Sequence, residues 1–372
     1  MKIGITCYPV PGGSGVLATE LGAQLAKRGH EVHFISHALP YRLDEFAPNV
    51  FYHEVEVSTY PLFEYPPYTL SLAARMSCVA RQVKLDVLHV HYAIPFAIAG
   101  HLAQEMLGDA APKLVTTLHG TDITLVGMDK SFFEITKHSI AVSDRVTAVS
   151  QYLAAKTRAE FGIEREIDVV YNFVDTSRFR PQGRHVCRSR YAPHGEKVVM
   201  HLSNFRPVKN AIGVVHIFHR LTQKLPAVLL LVGDGPESGA AMESAARLGV
   251  ADRVHFLGNQ QRVENLFACA DAFLLPSYEE SFGLAALEAM ACGVPVVASN
   301  VGGVSEVITA GKSGFLISPD DYDDGAEKLR ELLSNNALAL SFKEEALATV
   351  QNKFTADSIV PQYEKIYCGQ HG

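Results

Sequence analysis

The chain has 372 residues, 48% of them hydrophobic and 20% charged, which is enough for two domains that each bury a core. Its 33 Lys and Arg residues against 40 Asp and Glu residues give a net charge of −7. This balance excludes a broad basic surface for nucleic acid, so an anionic substrate would need a few local cations or helix N-termini.

The first half of the chain alternates short apolar strands with amphipathic helices. Helices are predicted at residues 16–28 and 70–83, and strands at residues 2–7, 31–36, 87–90, 113–118 and 145–149. This alternation is typical of βαβ units with a parallel sheet. The first residues read as a strand rather than a signal peptide, and no apolar run approaches the roughly 18 residues of a membrane span. A cytoplasmic protein without a membrane partner is expected.

The same alternation restarts after about residue 180. Strands are predicted at residues 198–203, 227–232, 254–257, 272–275 and 294–298, and helices at 211–224, 237–248 and 282–291. The aperiodic stretch 171–181, followed by the polar residues 182–184, is interpreted as the linker. The predicted domains are therefore 1–172 and 173–354, with a C-terminal helix at about 355–372 that packs back on the first. Two doubly wound α/β domains facing each other would form a cleft at the carboxyl ends of their strands.

A glycine-rich turn at residues 11–15 follows the first strand and opens the first helix. Glycines there let backbone N–H groups approach a phosphate or carboxylate at the positive end of the helix, although a simple tight turn is the alternative. The pattern is not G-x-G-x-x-G, and residues 34–37 hold no acid for a ribose. A dinucleotide site of the NAD type is therefore disfavoured.

Histidines stand at the ends of two further strands of the first half. His89 and His91 alternate along one strand and share a face, as a metal pair would, but no carboxylate or Cys is close in sequence. Pocket lining is favoured. His119 leads the loop His119-Gly120-Thr121-Asp122, whose polarity at a strand exit favours an active-site position over a core histidine.

Two segments of the second half offer charges to a substrate. Arg206 and Lys209 lie in the turn before a helix, where they could neutralise a diphosphate, although a solvated surface pair is the alternative. Glu280 precedes another helix whose first turn holds Gly283 and Leu284, and Glu288 lies inside it. Free N–H groups there suit an anion and the carboxylates suit sugar hydroxyls. The acidic run 320–324 is interpreted as a solvated helix cap, not a metal site.

The segment from Glu280 to Glu288 resembles the paired-glutamate signature of the retaining glycosyltransferases of family 4, which have the GT-B fold of two facing Rossmann-like domains. The resemblance covers nearly the whole chain. It extends to Gly12-Gly13, the His119-Gly120-Thr121-Asp122 loop, Arg206, Lys209, the segment Gly233-Asp234-Gly235-Pro236 and Gly302-Gly303 with Glu306.

The resemblance implies roles for individual residues of this chain. Four residues are implied to be catalytic: His119 near the reacting centre, Arg206 and Lys209 on the departing diphosphate, and Glu280 on sugar hydroxyls. The implied donor-binding residues are Gly13, Arg206, Lys209, Asn259, Glu280, Phe282, Gly283, Leu284 and Glu288, with Asn259 at the uracil and Glu288 at the ribose. Asn210 stands where many relatives carry a second basic residue.

Similarity to particular family members implies the substrates. Residues 7–9, 12–15, 89–95, 116–124 and 204–206 are similar to those of enzymes that transfer N-acetylglucosamine from UDP-GlcNAc to the hydroxyl of L-malate, the first step of bacillithiol biosynthesis. The acceptor-binding residues would be Ser14, Tyr92, Thr117 and His119, with Arg42 as a distal cation. No cofactor or metal is implied.

Two other interpretations stay open at this point. The chain could be a family member with an inositol, lipid or polysaccharide acceptor, or a sugar-nucleotide-binding protein without turnover. The presence of Glu280, Glu288, Arg206, Lys209 and His119 disfavours the second. A homo-oligomer is a further open expectation.

Overall fold

The computed structural model describes residues 1–10, 12–44, 46–57, 64–183 and 187–370, with Cys187 described through its backbone only. Pro11 of the glycine-rich turn and Arg184 of the stretch after the linker lie outside the described residues. The chain divides into two units, which are Met1–Asn172 with Ala356–Gly372 (unit 1) and Phe173–Thr355 (unit 2). Each unit has a parallel sheet with helices, so the predicted α/β class is confirmed.

Within the described residues, unit 1 is built on a sheet of seven parallel strands. In chain order they are β1 (Lys2–Thr6), β2 (Glu31–Ser36), β3 (Val50–Glu54), β4 (Val87–His91), β5 (Lys113–Leu118), β6 (Arg145–Ala148) and β7 (Asp168–Val169). Their order across the sheet is β3-β2-β1-β4-β5-β6-β7, so the direction of winding reverses between β1 and β4. The central strand β4 is buried along its whole length, as a strand covered on both faces should be.

The helices of unit 1 follow its strands and end with the last helix of the chain. They are α1 (Gly13–Lys27), α2 (Tyr68–Val83), α3 (Ile98–Leu107), α4 (Thr121–Thr124), α5 (Phe133–Val142), α6 (Gln151–Phe161) and, after unit 2, α15 (Ala356–Tyr367), with short turns at Ala93–Ala97 and Gly108–Ala110.

Unit 2 repeats the plan with six parallel strands in the part of it that the structure describes. They are β8 (Lys197–Leu202), β9 (Ala227–Val232), β10 (Val254–Phe256), β11 (Ala272–Leu275), β12 (Val296–Ser299) and β13 (Gly314–Ile317). Their order is β10-β9-β8-β11-β12-β13, so the reversal lies between β8 and β11. The helices are α7 (Cys187–Tyr191), α8 (Ala211–Thr222), α9 (Ser238–Arg247), α10 (Val263–Phe267), α11 (Leu284–Ala291), α12 (Val304–Val307), α13 (Tyr322–Ser334) and α14 (Asn336–Lys353), with 3₁₀ turns at Pro207–Lys209 and Ala251–Arg253.

The predicted strands and helices all occur. Their ends differ by up to three residues, except that the C-terminal helix predicted at about 355–372 ends at Tyr367. Three further strands were not predicted. The edge strand β3 is only partly buried, β7 has two residues, and β13 begins with a glycine. None of the three shows the continuous apolar run by which the central strands are recognised.

Helix α8 illustrates how the sequence sets a helix and its buried face. Ala211, Val214, Phe218 and Leu221 are buried at helical spacing and join the core cluster of unit 2. The helix begins after Asn210, whose side-chain oxygen accepts a hydrogen bond from the Gly213 N–H at 3.0 Å. This is an N-cap, which satisfies one of the free N–H groups at a helix start.

The C-terminal helix α15 packs on unit 1 although it follows unit 2 in the chain. Its buried residues include Tyr363 and Tyr367. On its outer side, the Glu364 carboxylate accepts hydrogen bonds from Arg28 Nε at 2.8 Å and Nη2 at 2.9 Å. His30 Nε2 lies 2.9 Å from the same carboxylate. The helix is therefore held by burial and by a charged pair at the end of α1.

Replacing Tyr363 with alanine should destabilise unit 1, because the side chain is fully buried. We expect Tyr363→Ala to lower the free energy of unfolding by about 3–5 kcal/mol, measured by urea unfolding followed by circular dichroism. Lys365→Ala, on an exposed position of the same helix, should change it by less than about 0.5 kcal/mol. Equal effects of the two substitutions would contradict the packing of α15.

Candidate functional site

Several of the residues predicted from sequence lie after the strands that flank the two reversals of strand order, whereas His119 follows β5 and Asn259 follows β10. In unit 2 the flanking strands are β8, which leads to Arg206 and Lys209, and β11, which leads to Glu280. In unit 1 they are β1, which leads to Gly13 and Ser14, and β4, which ends at His91. Ligands of doubly wound sheets bind at such positions because the helices leave the sheet in opposite directions there.

A charged pair joins the two strand exits of unit 2. Lys209 Nζ donates a hydrogen bond of 2.7 Å to Glu280 Oε1, which also accepts one from Ser277 Oγ at 3.0 Å. The Glu280 side chain is 10% exposed and the Lys209 side chain 23%, so the pair is largely withdrawn from solvent. The structure thus brings together Lys209 and Glu280, and adds Ser277, which the sequence did not single out.

Arg206 differs from Lys209 in its surroundings. It is exposed, and within the described residues its side chain makes no hydrogen bond or ion pair. Its backbone carbonyl accepts the Lys209 N–H at 2.8 Å, which closes the turn between them. The Arg206 guanidinium, three residues before Lys209 in the sequence, is therefore available to bind a ligand.

Asn210 stands where many relatives carry a basic residue, but its side chain has a structural role. It is buried, caps α8, and donates from Nδ2 to the carbonyls of Pro276 at 3.0 Å and Pro319 at 3.2 Å. Its side chain ties the exit of β11 to the start of α8. The side chain present at this position serves the packing of the loops, and it offers no charge to a diphosphate.

The helix start at Gly283 agrees with the sequence interpretation. Gly283 has φ +95°, a left-handed conformation suited to glycine, and α11 begins at Leu284. Glu288 is buried inside α11. Phe282 is also buried, with its ring 5.7 Å from that of Phe354, so its backbone is the part available to a ligand. Asn259 is exposed in the loop after β10.

The loop after β8 packs closely against the loop after β9. A Cβ at Gly235 would lie 1.9 Å from the carbonyl oxygen of Asn204, so only glycine allows this approach. His201 adds a second support, since its ring contacts the Leu274 carbonyl at 2.9 Å and Ser203 Oγ at 2.8 Å. Burial lowers the pKa of His201 to about 4, so it is neutral in this role.

In unit 1, Tyr92 lies between the glycine-rich helix start and the His119 loop. It has φ +104°, unusual for a residue with a side chain, and its hydroxyl interacts with Ser14 and Thr121. Its ring lies 5.2 Å from Tyr8 and 5.3 Å from His119. Burial, and then the charge of Asp122, raises its pKa to about 12. Ser14, Tyr92 and His119 are thus brought together, while Gly13 is exposed at the start of α1.

His119 is hydrogen-bonded to a second histidine. Its Nε2 atom lies 2.9 Å from Nδ1 of His91, and no other hydrogen bond of its ring occurs among the described residues. Burial lowers the pKa of His119 to about 3 and the pKa of His91 well below its ordinary value of 6.5. Both rings are therefore neutral near pH 7, so neither can supply a cation to a carboxylate.

Asp122 fixes the loop that carries His119. Its Oδ1 atom accepts hydrogen bonds from the backbone N–H groups of His119 at 3.2 Å and Gly120 at 2.9 Å, and Oδ2 accepts one from Ala93 at 3.1 Å. The side chain is 1% exposed. Burial raises its pKa to about 6, and the backbone hydrogen bonds oppose that shift. Its spacing of three residues from His119 at a strand exit was the available signal for this role.

Thr117 is placed away from the surface. It is fully buried, and its hydroxyl is 2.7 Å from His89 Nε2 and 2.7 Å from Thr147 Oγ1. His89 in turn contacts the Tyr367 hydroxyl of α15 at 2.7 Å. These contacts explain His89 as a core histidine instead of the pocket lining that was favoured. A direct contact between Thr117 and an acceptor stays a prediction without support from this geometry.

Two other interpretations can be compared with the structure. Asp321 caps α13, because its Oδ1 accepts the Asp324 N–H at 2.9 Å, so the acidic run is a helix cap as predicted. Within the described ranges, no group of three or more His, Cys, Asp and Glu side chains could hold a metal ion. Among the helices of that same part of the chain, none combines the length and apolar character that crossing a bilayer requires.

The fold and the site define a class of protein, and comparison with known proteins agrees. Residues 11–178 match the family model "Glycosyltransferase Family 4" and residues 188–349 match "Glycosyl transferases group 1". The chain belongs to the family 4 glycosyltransferases. It is 47% identical to N-acetyl-alpha-D-glucosaminyl L-malate synthase of Bacillus anthracis over 99% of this chain and 96% of that relative.

More distant relatives share the family or the fold. D-inositol 3-phosphate glycosyltransferase of Mycolicibacterium smegmatis is 30% identical over 95% of this chain and 86% of its own length. The structure of Anabaena Alr3699/HepE in complex with UDP and glucose superposes with a TM-score of 0.83 at 22% identity, covering 99% of both chains. Sucrose-phosphate synthase from Thermosynechococcus elongatus gives a TM-score of 0.81 at 20% identity, covering 99% of this chain and 98% of that one.

The pKa of Asp122 predicts a pH-dependent stability. Because the folded-state pKa lies above the ordinary value of 3.8, the contribution of Asp122 is present in full below about pH 4 and is lost as pH rises through about 6. Asp122→Asn does not titrate. At ~1.4 kcal/mol per pKa unit, the free energy of unfolding of the unmodified protein should fall relative to that variant by about 3 kcal/mol across this range.

Urea unfolding of both proteins at several pH values between about 4 and 7 measures this difference. A difference that is constant with pH would show that folding does not shift the pKa of Asp122. A change in the opposite direction would show that the carboxylate is stabilised in the folded state.

Proposed function

We propose that this protein is a retaining glycosyltransferase that transfers N-acetylglucosamine from UDP-GlcNAc to the hydroxyl of L-malate, as in the first step of bacillithiol biosynthesis. The observation that carries the proposal is the 47% identity, across almost the whole chain, to a relative named for that product. The cytoplasmic location, the independence from metal and a homo-oligomeric state stay predictions from the sequence.

In this proposal unit 2 binds the donor. Arg206 and Lys209 would contact the diphosphate, and Glu280 and Glu288 would accept hydrogen bonds from the hydroxyls of the sugar and the ribose. The backbone N–H groups at Gly283 and Leu284 would add dipoles to the anion site. Asn259 would contact the uracil, and the backbone of Phe282 would border the donor. Gly13, which the family resemblance implies as a donor-binding residue, stays a prediction.

The reaction would depend on stabilising the leaving group. The bond between the anomeric carbon and the β-phosphate oxygen breaks, and its electron pair stays on that oxygen. The malate hydroxyl oxygen forms the new bond on the same face, and its proton passes to a phosphate oxygen. Charge develops on the phosphate, where pre-placed cations and N–H groups lower the barrier without reorganising. This step needs no metal.

Unit 1 would bind the acceptor. Ser14 and Tyr92 offer hydroxyls and His119 a ring nitrogen at one strand-exit cluster. The Thr117 carbonyl accepts a hydrogen bond from the Tyr92 N–H at 2.9 Å. A dicarboxylate also needs a cation. Arg42, on the loop after β2, has buried Nε and Nη1 atoms without a hydrogen-bond partner among the described residues. That unpaired guanidinium makes Arg42 the candidate for the distal carboxylate.

The acceptor is tested by measuring UDP release from UDP-GlcNAc with L-malate, with D-malate, with D-inositol 3-phosphate and without acceptor. We expect release that depends on L-malate, persists with EDTA, and gives an α-linked product by NMR. Release that depends on the inositol phosphate would favour a family member with an inositol acceptor, which the relative at 30% identity suggests. No release from any UDP-sugar would overturn the proposed activity.

The role of Lys209 is tested by Lys209→Ala. Loss of the ammonium from the diphosphate site should lower kcat for UDP release by about 10²–10³-fold, because charge on the leaving group is then less stabilised. Lys312→Ala, at an exposed lysine of the same unit, is the matched control and should leave kcat unchanged. A kcat for Lys209→Ala within about threefold of the unmodified protein would remove Lys209 from the catalytic set.

A further inference from the structure

The hydrogen bond between His91 and His119 has two possible directions, and they give His119 opposite chemistry. The bond joins Nδ1 of His91 to Nε2 of His119 at 2.9 Å. One nitrogen must donate and the other must accept, because a neutral imidazole has one N–H and one bare nitrogen. The direction decides whether the free Nδ1 of His119 carries a proton.

If His119 donates, His91 must place its own N–H on Nε2. That atom is buried and has no hydrogen-bond partner among the described residues. The result would be a buried N–H donor without an acceptor, which is a rare arrangement in folded proteins. In this direction His119 would present a bare nitrogen, able to take a proton from a substrate.

If His91 donates, its buried Nε2 is a bare nitrogen and leaves no donor unsatisfied. His119 then accepts at Nε2 and carries its proton on Nδ1. The rest of the network keeps His91 in place, because its ring lies 4.4 Å from that of His89, which is held by Thr117 and Tyr367. The loop is fixed independently, since Asp122 binds the His119 backbone N–H.

We infer that His91 is a positioning residue that holds His119 as its neutral Nδ1–H tautomer, so that His119 gives bound substrate a hydrogen-bond donor and not a base. The inference deepens the proposed function, on which the placement of His119 at the substrates rests. An Nδ1–H donor would bind an oxygen of the sugar or of the acceptor carboxylate. Deprotonation of the acceptor then falls to the phosphate of the donor, as in the displacement described above.

The tautomer can be read directly in the ligand-free protein. Long-range ¹⁵N–¹H correlation spectra of protein labelled at its histidine rings distinguish the two tautomers and the imidazolium, and His119→Gln identifies the His119 signals. We expect the Nδ1–H tautomer for His119 near pH 7. The Nε2–H tautomer or a charged ring would overturn the inference, whatever the acceptor proves to be.

The role of His91 is tested with a pair of substitutions. The amide nitrogen of asparagine occupies the place of Nδ1 in histidine, so His91→Asn keeps a donor to His119, whereas His91→Leu removes it. We expect His91→Leu to give mixed tautomers at His119 and to lower kcat/KM about 10–100-fold, by analogy with the partners that orient metal-bound histidines. His91→Asn should retain the Nδ1–H form and stay within about threefold.

A matched control separates this effect from damage to the core. Thr116 is buried on the same strand as Thr117 but faces the other side of the sheet, where its hydroxyl contacts Ser143 at 2.8 Å. Thr116→Val should lower stability without changing the His119 tautomer. If His91→Leu changes neither the tautomer nor kcat/KM, the inference is wrong. If that variant does not fold, the spectra of the unmodified protein and of His91→Asn still decide it.

Discussion

The strand order of each sheet reverses once, and most of the polar residues of the candidate site lie in the loops beside that reversal. In unit 1 the helices after β1 and β4 pack on opposite faces of the sheet, and in unit 2 the helices after β8 and β11 do the same. The loops that follow these strands are therefore not covered by the helices. The Lys209–Glu280 pair joins the two uncovered loops of unit 2. Tyr92, at the end of β4, contacts Ser14 at the start of α1, which follows β1. The same topological constraint therefore builds both polar clusters.

Burial sets the ionisation of the groups in unit 1. Desolvation by the surrounding protein lowers the pKa values of His91 and His119 and keeps both rings neutral, and desolvation also raises the pKa of Asp122. Asp122 still orders the loop, because its carboxylate accepts hydrogen bonds from three backbone N–H groups. The loop geometry is thus fixed by an acceptor that is costly to bury, while the neighbouring rings contribute hydrogen bonds without charge.

The fold was predictable from local pattern, and the site was predictable only in part. Continuous apolar runs marked the central strands, and the spacing of Glu280, Gly283 and Glu288 around one helix start indicated an anion and hydroxyl site. The same patterns do not reveal which side chains turn inward. Thr117 and His89 lie close in sequence to strand exits, yet the Thr117 hydroxyl and the His89 ring contact each other in the core. Asn210 occupies a position associated with a basic residue and instead caps α8. Those outcomes depend on contacts between residues distant in sequence, which a pattern within one segment does not contain.

A net charge of −7 makes the location of positive charge the main problem for binding a diphosphate. An acidic protein cannot rely on its overall field, so it needs a cation that is held at the site before the ligand arrives. Glu280 does this for Lys209: its carboxylate, oriented by Ser277, holds the ammonium at the strand exit. Arg206 is left without such a partner among the described residues and can move to the ligand. In the ground state a diphosphate would share the Lys209 ammonium with Glu280. As charge develops on the leaving oxygen, the attraction between the ammonium and that oxygen would strengthen. Catalysis requires such an interaction, which is stronger in the transition state than in the ground state.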